Sequence, residues 1–145
     1  MSKTTPDHAD AELVIRLYDL RREAVMRKSR DTMNARFNPK TWDEFIAITK
    51  PEHPDNAAFR QVSTYWEMVY GMARYGVAHT EFLLESTGEG LFLFARVEPY
   101  LAAIRAATSP RAFSKAEWIA NSSDLGKAIL DNFRARVKKR FATGK

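Results

Sequence analysis

The sequence predicts an all-α fold, a single-domain helical bundle of about four long helices with short helices between them. Apolar residues recur at helical spacing along the whole chain, and no segment alternates convincingly with a period of two. The breaks between these patterns carry helix caps, prolines and glycines. Residues 59–76, FRQVSTYWEMVYGMARYG, add the third observation, because the charged Arg60, Glu67 and Arg74 recur every seven positions in an otherwise apolar and aromatic stretch. They share one helical face with Ser63, Thr64 and Gly71, and Phe59, Val62, Tyr65, Trp66, Met68, Val69, Tyr70, Met72, Ala73 and Tyr75 cover most of the circumference. A helix apolar over so wide an arc belongs at the centre of a bundle.

The first helix is expected to begin near Thr5 or Asp7, with Pro6 in its first turn and Asp7, Asp10 and Glu12 favouring its positive end. Leu13, Leu17, Leu20 and Ala24 form its apolar line, widened by Val14, Tyr18 and Val25, and it should run to about Arg36 before Asn38-Pro39 stops it. Thr41 to Glu44 reads as a capping box opening a short helix over residues 42–49. Two prolines restrict the connection over residues 50–55, and the central helix then ends at Gly76, a residue suited to a left-handed cap.

Thr80 is placed to cap a short helix over residues 81–85, before Gly88 and Gly90 interrupt the pattern. Residues 91–108 read as a buried helix that either bends at Pro99 or divides there with Glu98 extended. A strand over LFLFARV would have no partner to pair with. Ser109-Pro110 should start the next helix, reaching about Asn121. Ser122, Ser123 or Asp124 caps the last one, whose burial face is Leu125, Ile129, Phe133 and Val137.

A chain of 145 residues can close one core, so residues 1–145 are expected to form one domain. Its 45% hydrophobic and 28% charged content is that of globular proteins. Apolar runs such as Leu91 to Ala95 fall far short of the roughly 18 residues that span a bilayer, and the polar N-terminus has no secretory or transit pattern. A cytoplasmic protein without a membrane anchor is the expectation. No cysteine is present, which excludes disulfides, thiolate zinc sites and thiol catalysis. The net charge of +5 is concentrated at one end, where Lys127, Arg134, Arg136, Lys138, Lys139, Arg140 and Lys145 face a single acid, Asp131. Residues 134–145 are therefore a basic helix end and tail rather than part of a broadly basic surface.

The three histidines, His8, His53 and His79, belong to no HExxH motif, and no glutamate precedes a histidine by three positions. No metal and no cofactor are expected, and the glycine patterns of nucleotide-binding loops and the GxSxG of hydrolases are missing. Glu81, Glu85 and Glu89 lie four apart and suggest a cation patch or, more simply, a solvated acidic face. Arg60, Glu67 and Arg74 would hold an anion or an internal ion network if they point inward, and form a plain polar stripe if they point outward. Tyr65, Trp66, Tyr70 and Tyr75 suit a ligand cavity or an ordinary core, and His79 beside Glu81 is a proton carrier or an incidental surface residue. Arg60, Tyr65, Trp66, Glu67, Tyr70, Arg74 and His79 are thus the candidate ligand-binding residues. Arg134, Arg136, Lys138, Lys139 and Arg140, interleaved with Phe133, Val137 and Phe141, are the candidates for nucleic acid or an anionic surface.

Through RLYDLRREAVMRKSRD, FRQVSTYWEMVYGMARYGV and LFLFARVEPYL the chain resembles bacterial families of small all-helical proteins catalogued as domains of unknown function. The resemblance covers most of residues 11–107 and implies an all-α fold and a bacterial source; it brings no activity, cofactor or catalytic residue. The favoured functional expectation is a non-enzymatic module that binds itself or another protein. Its first helix combines an apolar line with a charged margin at Arg21, Arg22, Glu23, Arg27 and Lys28. The alternatives are a nucleic-acid-binding accessory protein using the basic terminal helix and a small-ligand sensor with an aromatic pocket on the central helix.

Overall fold

Asp7 opens the first helix through a reciprocal cap in which its carboxylate accepts from the Asp10 N–H at 3.0 Å while Asp10 accepts from the Asp7 N–H at 3.0 Å. Pro6 therefore lies before the cap rather than in the first turn. The computed structural model describes residues 3–142, and these form nine α-helices and a 3-10 turn without a strand. They are α1 (His8–Arg22), α2 (Ala24–Arg36), α3 (Trp42–Ile48), α4 (Asn56–Arg74), α5 (Thr80–Thr87) and α6 (Glu89–Val97). After the 3-10 turn Glu98–Tyr100 come α7 (Leu101–Ala107), α8 (Ser114–Asn121) and α9 (Asp124–Ala142). The basic tail expected to continue to residue 145 lies outside the described residues from position 143.

The long first helix divides, contrary to the expectation of one helix to Arg36. Glu23 is extended (φ −56°, ψ 140°), and its carboxylate accepts from the Met26 N–H at 2.8 Å, so a residue that favours helix caps the second half instead. Burial supplies the reason: Leu17 in α1 and Met26 and Met33 in α2 enter the core, whereas Tyr18, Leu20 and Val25 stay exposed. The break lets α2 run along α4 while α1 turns toward α5. A continuous paired interface along residues 8–36 is thereby removed.

Thr41 caps α3 through the Glu44 N–H at 3.1 Å, as its spacing predicts, but Glu44 returns to the Lys40 N–H at 2.7 Å. Gly76 ends α4 with φ 77°; its N–H bonds Ala73 O at 3.0 Å and the Val77 N–H bonds Met72 O at 2.9 Å, the paired closure of a Schellman motif. His79 rather than Thr80 caps the next helix. At Pro99 the chain bends through the 3-10 turn with Glu98 still helical (φ −49°, ψ −42°).

Ser109-Pro110 closes only one turn, and α8 begins four residues later than expected, after Phe113 in the left-handed region at φ 57°. Ser123 caps α9 by accepting from the Gly126 N–H at 3.1 Å. The burial face of α9 is Gly126, Leu130 and Val137; of the predicted row, Leu125, Ile129 and Phe133 are only partly buried. The core is built on α4, which packs against α2 on one side and α8 on the other, with α6 beneath and α9 laid across α6 and α8. Trp66, Tyr70, Phe37, Phe45, Phe94 and Leu91 are among its fully buried side chains, each worth about 1.5–3 kcal/mol of transfer from water.

Candidate functional site

Most candidate ligand-binding residues lie on α4, and its faces have different tasks. On the inner face the Tyr65 hydroxyl donates to Leu17 O at 2.7 Å and the Tyr70 hydroxyl donates to Thr87 O at 2.6 Å. Trp66 meets Tyr65 edge-on at 4.9 Å and stacks on Tyr70 at 5.8 Å. Burial pushes the Tyr65 hydroxyl up to about 12 and holds the Tyr70 hydroxyl well above its ordinary value, so both stay protonated near neutral pH. Gly90 lies against this cluster so closely that an added Cβ would sit 2.4 Å from the Tyr70 hydroxyl oxygen and 2.7 Å from the Trp66 ring. The three rings fill the core and pin the junction of α5 and α6.

Arg60, Glu67 and Arg74 do not converge. Arg60 is exposed and donates to Asn56 Oδ1 at 2.9 Å. Glu67 accepts from the Lys115 N–H at 3.2 Å and the Ala116 N–H at 2.8 Å, supplying from α4 the cap that α8 lacks in its own sequence. Arg74 is exposed, with its guanidinium 5.9 Å from the Trp118 ring.

His79 lies away from these groups and caps α5, its Nδ1 accepting from the Phe82 N–H at 3.1 Å. Its own N–H donates to buried Asp10 at 2.9 Å. Burial alone would raise the Asp10 carboxyl, but the N–H groups of His79 and Asp7 and the Lys3 ammonium hold it below the usual carboxylate range. His53 likewise accepts at Nδ1, from the Asp55 N–H at 3.0 Å.

Of the acidic row, Glu81 and Glu85 are exposed. Glu89 is held by Arg30, with Nε donating at 3.0 Å and Nη2 at 2.5 Å, and by Asn34 at 3.2 Å. Among the described residues no group of three or more His, Cys, Asp or Glu could hold a metal ion. In the basic helix Arg134 pairs with Glu98 and with Asp131, the latter at 3.0 Å. Arg136 lies over Phe92 and Phe133, Arg140 donates to Asn34 O at 3.3 Å, and Lys138 and Lys139 are exposed. Arg134 is drawn to Glu98, Arg136 and Arg140 gather at the Phe92 ring, and Lys138 and Lys139 point elsewhere on the surface, so the five do not form one stripe.

The outer face of α4 carries what the sequence reading missed. Ala57, Thr64, Met68 and Tyr75 are exposed there with Gly71 among them, and no charged residue lies on this line. With half-buried Gln61 the positions step by four, three, four, three and four residues, the spacing of a helix-pairing seam. Met68 is 45% and Tyr75 64% exposed, and Met72 and Val77 extend the apolar surface around Gly71. The seven-residue recurrence of Arg60, Glu67 and Arg74 was the available signal, since it marks the charged margin of this neutral seam rather than a polar face of its own.

The chain belongs to the family described as a domain of unknown function, DUF4760, which matches residues 6–123 and so ends where α9 begins. Comparison with curated proteins and with solved structures gave no match. Among the described residues no helix is long and apolar enough to cross a membrane.

Proposed function

We propose that the chain is a non-enzymatic self-association module, folded as one domain, in which α4 of one copy packs antiparallel on α4 of a second. The observation that carries this reading is the uncharged outer seam of α4, five turns long, on the helix that also organises the core. A two-fold axis near Gly71 would let the backbones approach once the flexible Lys115 stem swings off the glycine, and would set Met68 of each copy between Met72 and Tyr75 of the other. The same axis brings Arg74 opposite Glu67 twice. Glu67 has acceptor capacity left after its two backbone bonds, and Lys115, whose stem lies 3.6 Å from the Cβ position of Gly71, can reach the same carboxylate. A non-enzymatic role is supported by the use of His53 and His79 as backbone acceptors and of both buried tyrosines as donors to carbonyls.

Sedimentation equilibrium over a wide concentration range tests the reading. The expected result is a monomer–dimer equilibrium weakened at least about tenfold by Met68→Asp, about 1.4 kcal/mol, and by Gly71→Arg, with the monomer fold retained because Met68 is exposed and a side chain at Gly71 meets only the flexible Lys115 stem. A monomer at every concentration, or a dimer indifferent to both substitutions, overturns it.

A further inference from the structure

On the side of the molecule formed by α2, α5, α6 and α9, a groove of about 750 Å³ opens between α2 and α9. Its floor is apolar, made by Leu84, Phe92, Ile129 and Phe133, and its two walls differ in charge. Glu85 and Glu89 stand on one, and Arg136 stands on the other. The volume lies within the roughly 300–1,000 Å³ of small-molecule sites.

The positive wall rests on an unusual foundation. Arg96, only 3% exposed, donates through Nη1 to Met33 O and Phe37 O, both at 2.8 Å, and through Nε to Phe92 O at 3.0 Å. Its guanidinium sits 3.9 Å from the Phe92 ring centroid, and no carboxylate pairs with it among the described residues. The guanidinium groups of Arg136 and Arg140 flank the same ring at 5.4 and 5.7 Å. Burial and the nearby Arg140 lower the Arg96 pKa to about 9 against the opposing effect of Glu89, which leaves Arg96 charged at neutral pH. Arg136 itself is exposed and held by ring faces, Phe133 at 5.2 Å and Phe92, and makes no ion pair among the described residues. An arginine stacked in this way keeps its N–H edge available for a bidentate acceptor.

The geometry points to a binding site for a small amphipathic carboxylate, its apolar tail on Leu84, Phe92, Ile129 and Phe133 and its head group on the N–H edge of Arg136. Glu85 and Glu89 fix the orientation by repelling the head from the opposite wall. Glu89 is already neutralised by Arg30, so its share of this repulsion is the smaller one. The site lies on a different face from the α4 seam and is independent of self-association.

Three probes with one tail and different heads test the proposal: decanoate, decanol and decyltrimethylammonium, each kept below its micelle concentration. Binding is read by amide and methyl shift mapping in nuclear magnetic resonance. Decanoate is expected to bind best, by roughly tenfold over the other two, with shifts centred on Phe92, Ile129, Phe133 and Arg136. Arg136→Gln should erase the preference for the anionic head while leaving the tail contacts, and Ile129→Glu should abolish binding of all three. Arg136 is exposed and unpaired, so its variant keeps the fold, and an unchanged thermal midpoint verifies this. Shifts scattered over the surface, equal binding of the cationic probe, or a head-group preference that survives Arg136→Gln each overturns the proposal.

Discussion

Helices α4 and α9 are both 19 residues long, yet α4 buries nine of its residues and α9 three. In α4 the apolar arc is wider than the core can cover, and the surplus emerges as the outer seam of Met68 and Tyr75. In α9 the surplus has the opposite origin: Gly126, Leu130 and Val137 take the core contacts, and the neighbouring row of Leu125, Ile129 and Phe133 lines the groove. Both helices carry apolar residues beyond what folding uses, and both proposed binding surfaces lie at that excess.

The contrast is sharpest in truncation. Trp66→Ala should cost about 3–5 kcal/mol in urea unfolding, because no neighbour can fill the space between Tyr65 and Tyr70. Ile129→Ala should cost less than about 1.5 kcal/mol, since one side of that residue already faces the groove. Equal costs would erase the distinction between core and groove. Gly90→Ala comes next, at about 1–3 kcal/mol, because its Cβ must displace the Trp66 and Tyr70 rings. If the variant is as stable as the parent, the inner face of α4 is less tightly packed than described.

Glu67→Ala should cost about 0.5–2 kcal/mol and speed hydrogen exchange at the amides of Lys115 and Ala116 while leaving α9 amides protected. The smallest effect concerns acid. Asp10 and Glu89 both have folded pKa values held below their ordinary ones, so each contributes stability that is present above the ordinary carboxylate value and is lost as pH falls through the folded value. Asp10→Asn and Glu89→Gln should each flatten the fall of the urea midpoint below about pH 4, and an acid limb unchanged in both would refute the assignment.

The fold class was legible because each of several strong local signals agreed: the wide apolar arc of α4, its stop at Gly76, the Thr41 cap and the start of α9 within residues 122–124, where the structure uses Ser123. What escaped sequence reasoning depends on distant partners. Glu23 is a good helix former, and nothing local says that α2 must leave the direction of α1 to follow α4. The start of α8 is set by Glu67, 48 positions before Lys115. Arg96 sits inside LFLFARV like any helix residue, and its carbonyl partners at the end of α2 are 59 and 63 positions away. The charged line of α4 was visible, but not the neutral seam that lies roughly 80° around the helix from it.

Glu67 has a further consequence for the order in which the chain acquires structure. An eight-residue segment such as α8 is too short to nucleate by itself, and here its first amides are satisfied only once α4 is in place. Helix α8 is therefore expected to form late, on α4 as its template. Loss of the Glu67 carboxylate should accelerate unfolding and leave the refolding rate nearly unchanged.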